Sequence, residues 1–96
     1  MILEDRQLYN SAYLFKQVLK ESERQVELHG IGKKYIHSWL AILAEEFGEL
    51  SKAINNYTEG RKINYSEIEQ EAIEVATVAL KIAESIRHFK IQESVS

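Results

Sequence analysis

The chain has no cysteine and no proline, and among its 96 residues only four are glycine. Without cysteine there is neither a disulfide framework nor a thiolate metal site, and zinc-finger architectures fall away; His29, His37 and His88 lack a zinc spacing. The lack of proline, the few glycines and the abundance of strong helix formers leave an all-α chain as the expectation, with no strand-like alternation to compete. No apolar run is long enough to span a membrane, and the N-terminal Met-Ile-Leu-Glu-Asp-Arg carries acids where a signal peptide needs a basic start. A cytoplasmic protein is therefore expected. Positive charge is not in excess either: the formal net charge is -3 and the isoelectric point about 5.6, so stable nucleic-acid binding is not expected.

What the chain does have is apolar periodicity in three blocks within one domain, 1–96. The first helix is expected over about residues 5–28, with Leu8, Ala12, Phe15, Leu19 and Val26 on one stripe and Leu14 and Val18 widening it. Gly30 is placed to cap its end. The second is expected over about 38–57, opened by Ser38 as N-cap, and the third over about 66–90, opened by a Ser66/Glu69 capping box and followed by a frayed tail. The third helix carries an apolar arc broader than two neighbours would cover, from Ile68 through Val75, Val78 and Ile82 to Ile86. An antiparallel bundle of three long helices, completed by self-association, is the fold this predicts.

Glutamates stand out against that pattern. Glu45-Glu46-Phe47-Gly48-Glu49 in the second helix is answered by Glu71-Ala72-Ile73-Glu74 in the third. Carboxylates three residues apart on a helix are separated by roughly 60° around the axis and about 4.5 Å along it. In a chain rich in glutamate such pairs are ordinarily solvated. Here Glu46 falls among Trp39, Ile42, Leu50 and Ala53, Glu49 borders Ile42 and Ala53, and Glu71 shares its direction with Val75, Val78 and Ile82, while Glu74 lies at the polar border with Lys81. A carboxylate driven into an apolar stripe must be paired, neutralised or metal-bound. Lys52 and Lys81 are too few to pair four acids, and an oxygen-only cluster suits a hard cation such as Mg2+.

These residues also carry a resemblance. Trp39-Leu40-Ala41-Ile42-Leu43-Ala44-Glu45-Glu46-Phe47-Gly48-Glu49-Leu50, followed by Glu71-Ala72-Ile73-Glu74-Val75, resembles the MazG-type all-α nucleoside triphosphate pyrophosphohydrolases, whose pattern is E-x-x-E, a spacer, then E-x-x-D. The likeness runs from about Glu21 to Leu80, with Glu74 standing where the family usually has aspartate. It implies that Glu46, Glu49, Glu71 and Glu74 hold Mg2+, with Mn2+ as a substitute, in a homodimer or homotetramer with sites at helix interfaces. It further implies hydrolysis of (d)NTP to (d)NMP and pyrophosphate. Within that reading Glu45 is a candidate water-activating base or outer-shell residue, or a plain surface glutamate. Lys52, Arg61 and Lys81 are candidate phosphate contacts, with solvated side chains the ordinary alternative. Gln25, on the stripe of Leu14 and Val18, and Trp39, otherwise a core residue, are candidates for the nucleobase. The competing expectation is a non-catalytic helical interaction module. A di-iron bundle lacks its E-x-x-H element, and the Gly32-Lys33 pair lacks the rest of a P-loop.

Overall fold

The computed structural model describes residues 2–29, 36–58 and 63–95, with side chains at 9–28, 36–56 and 63–94. Three helices account for nearly all of them: α1 (Ile2–His29), α2 (Ile36–Thr58) and α3 (Tyr65–Val95). The all-α three-helix architecture agrees with the sequence pattern. Each helix exceeds its expected bounds. Ser38 lies inside α2 rather than capping it, and α3 is capped by Asn64 rather than Ser66: the Glu67 N–H donates to Asn64 Oδ1 at 3.0 Å, and the Ile68 N–H donates to the Asn64 carbonyl at 3.2 Å. Asparagine is as good an N-cap as serine, and its earlier position wins the first turn, where Glu67 also complements the helix dipole. The C-terminal residues continue as helix to Val95 instead of fraying. Gly30 lies outside the described residues.

α3 is the spine. Its 31 residues rise about 46 Å, most of the molecule's 53 Å long axis. Both other helices pack on it, yet among the described residues no Cα of α1 comes within 8 Å of one in α2. The core is correspondingly small, built from Trp39 and Ala53 of α2 and Ile73 and Val78 of α3, with Glu21, Gln25 and Thr77 buried among them. Thr77 is fully buried because its hydroxyl donates back to the Ile73 carbonyl at 2.7 Å, which satisfies it without leaving the helix.

Two apolar faces point away from this core. On α1 the expected inward stripe is turned outward: Ala12 is exposed, Phe15 is 68% exposed and Leu19 is 56% exposed, while Glu21 and Gln25 are buried. Leu8 falls outside the described side chains. On α2 Leu40, Phe47 and Ile54 are exposed while Leu43 and Leu50 of the same apolar sector are half-buried, and the contact with α3 runs through Trp39, Glu46 and Ala53, about a quarter-turn from Leu40 and Phe47. The far end of α3, residues 86–94, is exposed throughout, including Ile86, Phe89 and Ile91. A closed monomer of 11.1 kDa presents about 5,700 Å² of surface, whereas this chain presents 7805 Å². Its radius of gyration, 16.2 Å, likewise exceeds the roughly 12.5 Å of a compact chain of this length.

Gly48 sits on the third side of α2, near Ala41, Ala44 and Lys52, where a methyl group would meet nothing within 4 Å. Glycine costs a helix interior roughly 0.5–1 kcal/mol relative to alanine. Gly48→Ala is therefore expected to raise unfolding stability by about that amount, read from the midpoint of a denaturant titration.

Candidate metal centre

The contact seam of α2 passes through Trp39, Glu46 and Ala53, spaced two turns apart, so Glu46 stands midway along the surface that meets α3. On α3 the seam runs through Glu71, Glu74, Val78 and Lys81, and on α1 through Val18, Glu21 and Gln25. Each helix thus carries a polar residue where an unbroken apolar stripe would pack. The three polar positions meet at one level of the bundle.

Glu46, Glu71 and Glu74 converge there, half-buried, with one carboxylate oxygen from each lying within 4.8 Å of the others. Glu74 is the acid whose proximity acts most strongly on both Glu46 and Glu71. Desolvation, followed by the hydrogen bond to and charge of Glu74, pushes both the Glu46 and the Glu71 carboxyl up to about 7, with Glu71 and Glu45 adding to the repulsion on Glu46 and Glu49 and Glu67 to that on Glu71. Two glutamates in a half-buried seam therefore hold protons close to neutral pH.

The donor set fits a hard divalent cation. Its donors are carboxylate oxygens alone, the chemistry that Mg2+ and Mn2+ take, and oxygens around an octahedral Mg2+ lie about 3–4 Å from one another, so small side-chain adjustments would close the group. Glu71 Oε2 is buried and has no hydrogen-bond partner. An orphaned carboxylate oxygen beside two other acids is costly unless a cation meets it.

The remaining expected site residues are distributed around this group. Glu49 is exposed and outside the three-oxygen cluster, though near enough to raise Glu71. Glu45 is exposed beside Glu46. Gln25 is only 3% exposed, and its Oε1 is buried with no hydrogen-bond partner. Trp39 is part of the core. Lys52 is exposed, and Lys81 is half-buried with its Nζ 3.8 Å from Glu84. Arg61 lies outside the described residues.

Two residues of the site were given no role by the sequence reading. Glu21, 5% exposed, receives hydrogen bonds from Arg24 Nε on both oxygens, at 2.6 and 2.7 Å. Arg24 Nη2 in turn stands 3.5 Å from Glu74 Oε1. The signal was available in the spacing of Leu14, Val18, Glu21 and Gln25, which places Glu21 on the same stripe as Gln25. No family model, curated protein or solved structure matches the chain.

The raised carboxyls make stability depend on pH. Folded, Glu46 and Glu71 keep their protons up to about 7; unfolded, they lose them near 4.5. Between those values the folded chain binds more protons, so its stability is highest at the acidic side and falls as pH rises towards 7. A divalent cation takes the deprotonated form and should restore what is lost. Thermal melts with EDTA or with Mg2+ are expected to differ little near about pH 5 and clearly near about pH 8, with Mg2+ raising the midpoint at the higher pH.

Proposed function

We propose that the chain is a divalent-cation-dependent nucleoside triphosphate pyrophosphohydrolase of the MazG-like kind, converting (d)NTP and water to (d)NMP and pyrophosphate in nucleotide-pool housekeeping. The observation that carries this reading is the convergence of Glu46, Glu71 and Glu74 from two helices, with oxygens within 4.8 Å, in a half-buried seam. The residues that converge are those that the sequence resemblance would use.

Glu46, Glu71 and Glu74 would hold Mg2+, or Mn2+ in its place, with the exposed carboxylate of Glu49 free to swing in from one turn beyond Glu46. When bound, such an ion neutralises charge on triphosphate oxygens and lowers the pKa of a water aimed at the α-phosphorus. Glu45, exposed next to Glu46, is placed to take a proton from solvent-side water as a base or to orient it. Lys52 and Lys81 would supply positive charge on α2 and α3 for phosphates, and Arg61 lies between those helices in the sequence. The unpartnered Gln25 carbonyl would offer an acceptor for an amino group of a nucleobase, and Trp39 an aromatic surface. The cation site is a proposal, as are substrate and assembly.

A helical interaction module accounts for the exposed apolar faces but leaves the three converging acids without a purpose. The two readings part at Glu46→Gln, which keeps the shape and removes the charge. On the enzymatic reading, purified protein with Mg2+ and a panel of canonical and modified (d)NTPs releases pyrophosphate as the direct product. Glu46→Gln lowers that rate by about 100-fold or more. Orthophosphate as first product, or an unchanged rate in the variant, overturns the reading.

Assembly belongs to the same proposal. The surface in excess of a compact monomer, about 2,100 Å², is of the size that an obligate homodimer buries. A homodimer or homotetramer would cover Phe15 and Leu19 of α1 and Leu40, Phe47 and Ile54 of α2. Sedimentation equilibrium is expected to give at least twice the 11.1 kDa chain mass, and Phe47→Glu to shift the population toward monomer.

A further inference from the structure

Arg24 is anchored from one side and open on the other. Its Nε is held by both oxygens of Glu21, whose side chain is 4% exposed, while half of the arginine side chain faces solvent. Burial of the carboxylate and the two short hydrogen bonds fix the guanidinium against α1. Beyond that anchor Nη2 reaches toward Glu74 Oε1, but at 3.5 Å, longer than a well-formed charge-assisted hydrogen bond. The cation that reaches the acidic cluster is thus tightly tied to α1 and only loosely tied to the cluster itself.

That asymmetry has a chemical consequence. Glu21, Glu74 and Glu46 all favour the charged guanidinium, against the desolvation that opposes it. Were a divalent cation to satisfy Glu74, the weak Nη2 contact would have little left to hold it. The guanidinium, still anchored through Nε, would then offer its Nη donors in a fork that matches phosphate oxygens. Lys81 is a poorer candidate for this position because its Nζ pairs with Glu84.

We propose that Arg24 is the anion-contacting residue of the site, positioned by Glu21 and lent to Glu74 until a divalent cation and a phosphate chain arrive together. This rests on reading the Glu46, Glu71 and Glu74 cluster as the cation site. A merely structural arginine would brace Glu74 for the metal. An anion-contacting arginine opposes the metal by charge and favours the phosphates.

The two roles differ in sign. Mn2+ binding to the metal-free protein, followed by electron paramagnetic resonance, is expected to tighten a few-fold in Arg24→Gln, because a positive charge near the site is gone. Calorimetric titration with the magnesium complex of inorganic tripolyphosphate is expected to show affinity weakened at least about 10-fold in the same variant. Arg24→Lys, which keeps the charge but lacks the fork, should lose part of the tripolyphosphate affinity and leave Mn2+ binding near wild type; it decides the matter should circular dichroism show Arg24→Gln unfolded. Unchanged tripolyphosphate affinity in a folded variant, or a joint fall of both affinities, overturns the role of Arg24 while leaving the cation site standing. Wild-type protein that binds no Mn2+ overturns both.

Discussion

Repulsion among carboxylates on a helix-packing surface is the constraint around which the rest of this molecule is arranged. Glu46, Glu71 and Glu74 occupy the seam between α2 and α3, where water reaches them only in part and where apolar side chains would pack at no electrostatic cost. The chain compensates locally. Burial and the neighbouring Glu74 push the Glu46 and Glu71 carboxyls up to about 7, and Arg24 is brought from α1 to within 3.5 Å of Glu74. Even so, Glu71 Oε2 remains without a partner. Replacing any of the three with an apolar residue would remove this electrostatic cost.

The same seam explains why the bundle is open. α3 receives α1 and α2 on separate faces, and the level at which all three helices approach is polar, occupied by Glu21, Arg24, Glu46 and Glu74. The apolar core is left to Trp39, Ala53, Ile73 and Val78. Much of the chain's apolar potential instead lies on outward faces of α1 and α2 and on the far end of α3. Site and surface are therefore linked: the helix faces used to gather charge inside one chain are not available for hydrophobic burial, and the faces that could bury apolar area look outward.

Much of the site was legible because helical periodicity is a local property. Glu46 among Trp39, Leu50 and Ala53, and Glu71 among Val75, Val78 and Ile82, are anomalous on any helical projection, and both are drawn into the seam. Glu49, expected with the other three acids, proves exposed and outside the cluster, whereas Glu74, at the polar border of its helix, is within it. The projection failed on α1. Counting apolar residues put Phe15 and Leu19 inward, whereas the helix turns its Glu21 and Gln25 face to α3 because the Glu21 and Arg24 pair meets Glu74 there. Electrostatic complementarity across helices is invisible when each helix is read alone.

Composition and spacing were sufficient to determine that the chain is all-α, where its three helices lie to within a few residues, and that Glu46 and Glu71 are out of place for surface residues; these follow from hydrogen bonds and side-chain periods that span a few positions. Which face of each helix turns inward, and that Arg24 of α1 reaches Glu74 of α3, were decided only by the tertiary structure. Those outcomes depend on what a distant segment presents across the gap, and the free energy of that encounter is written in neither segment alone.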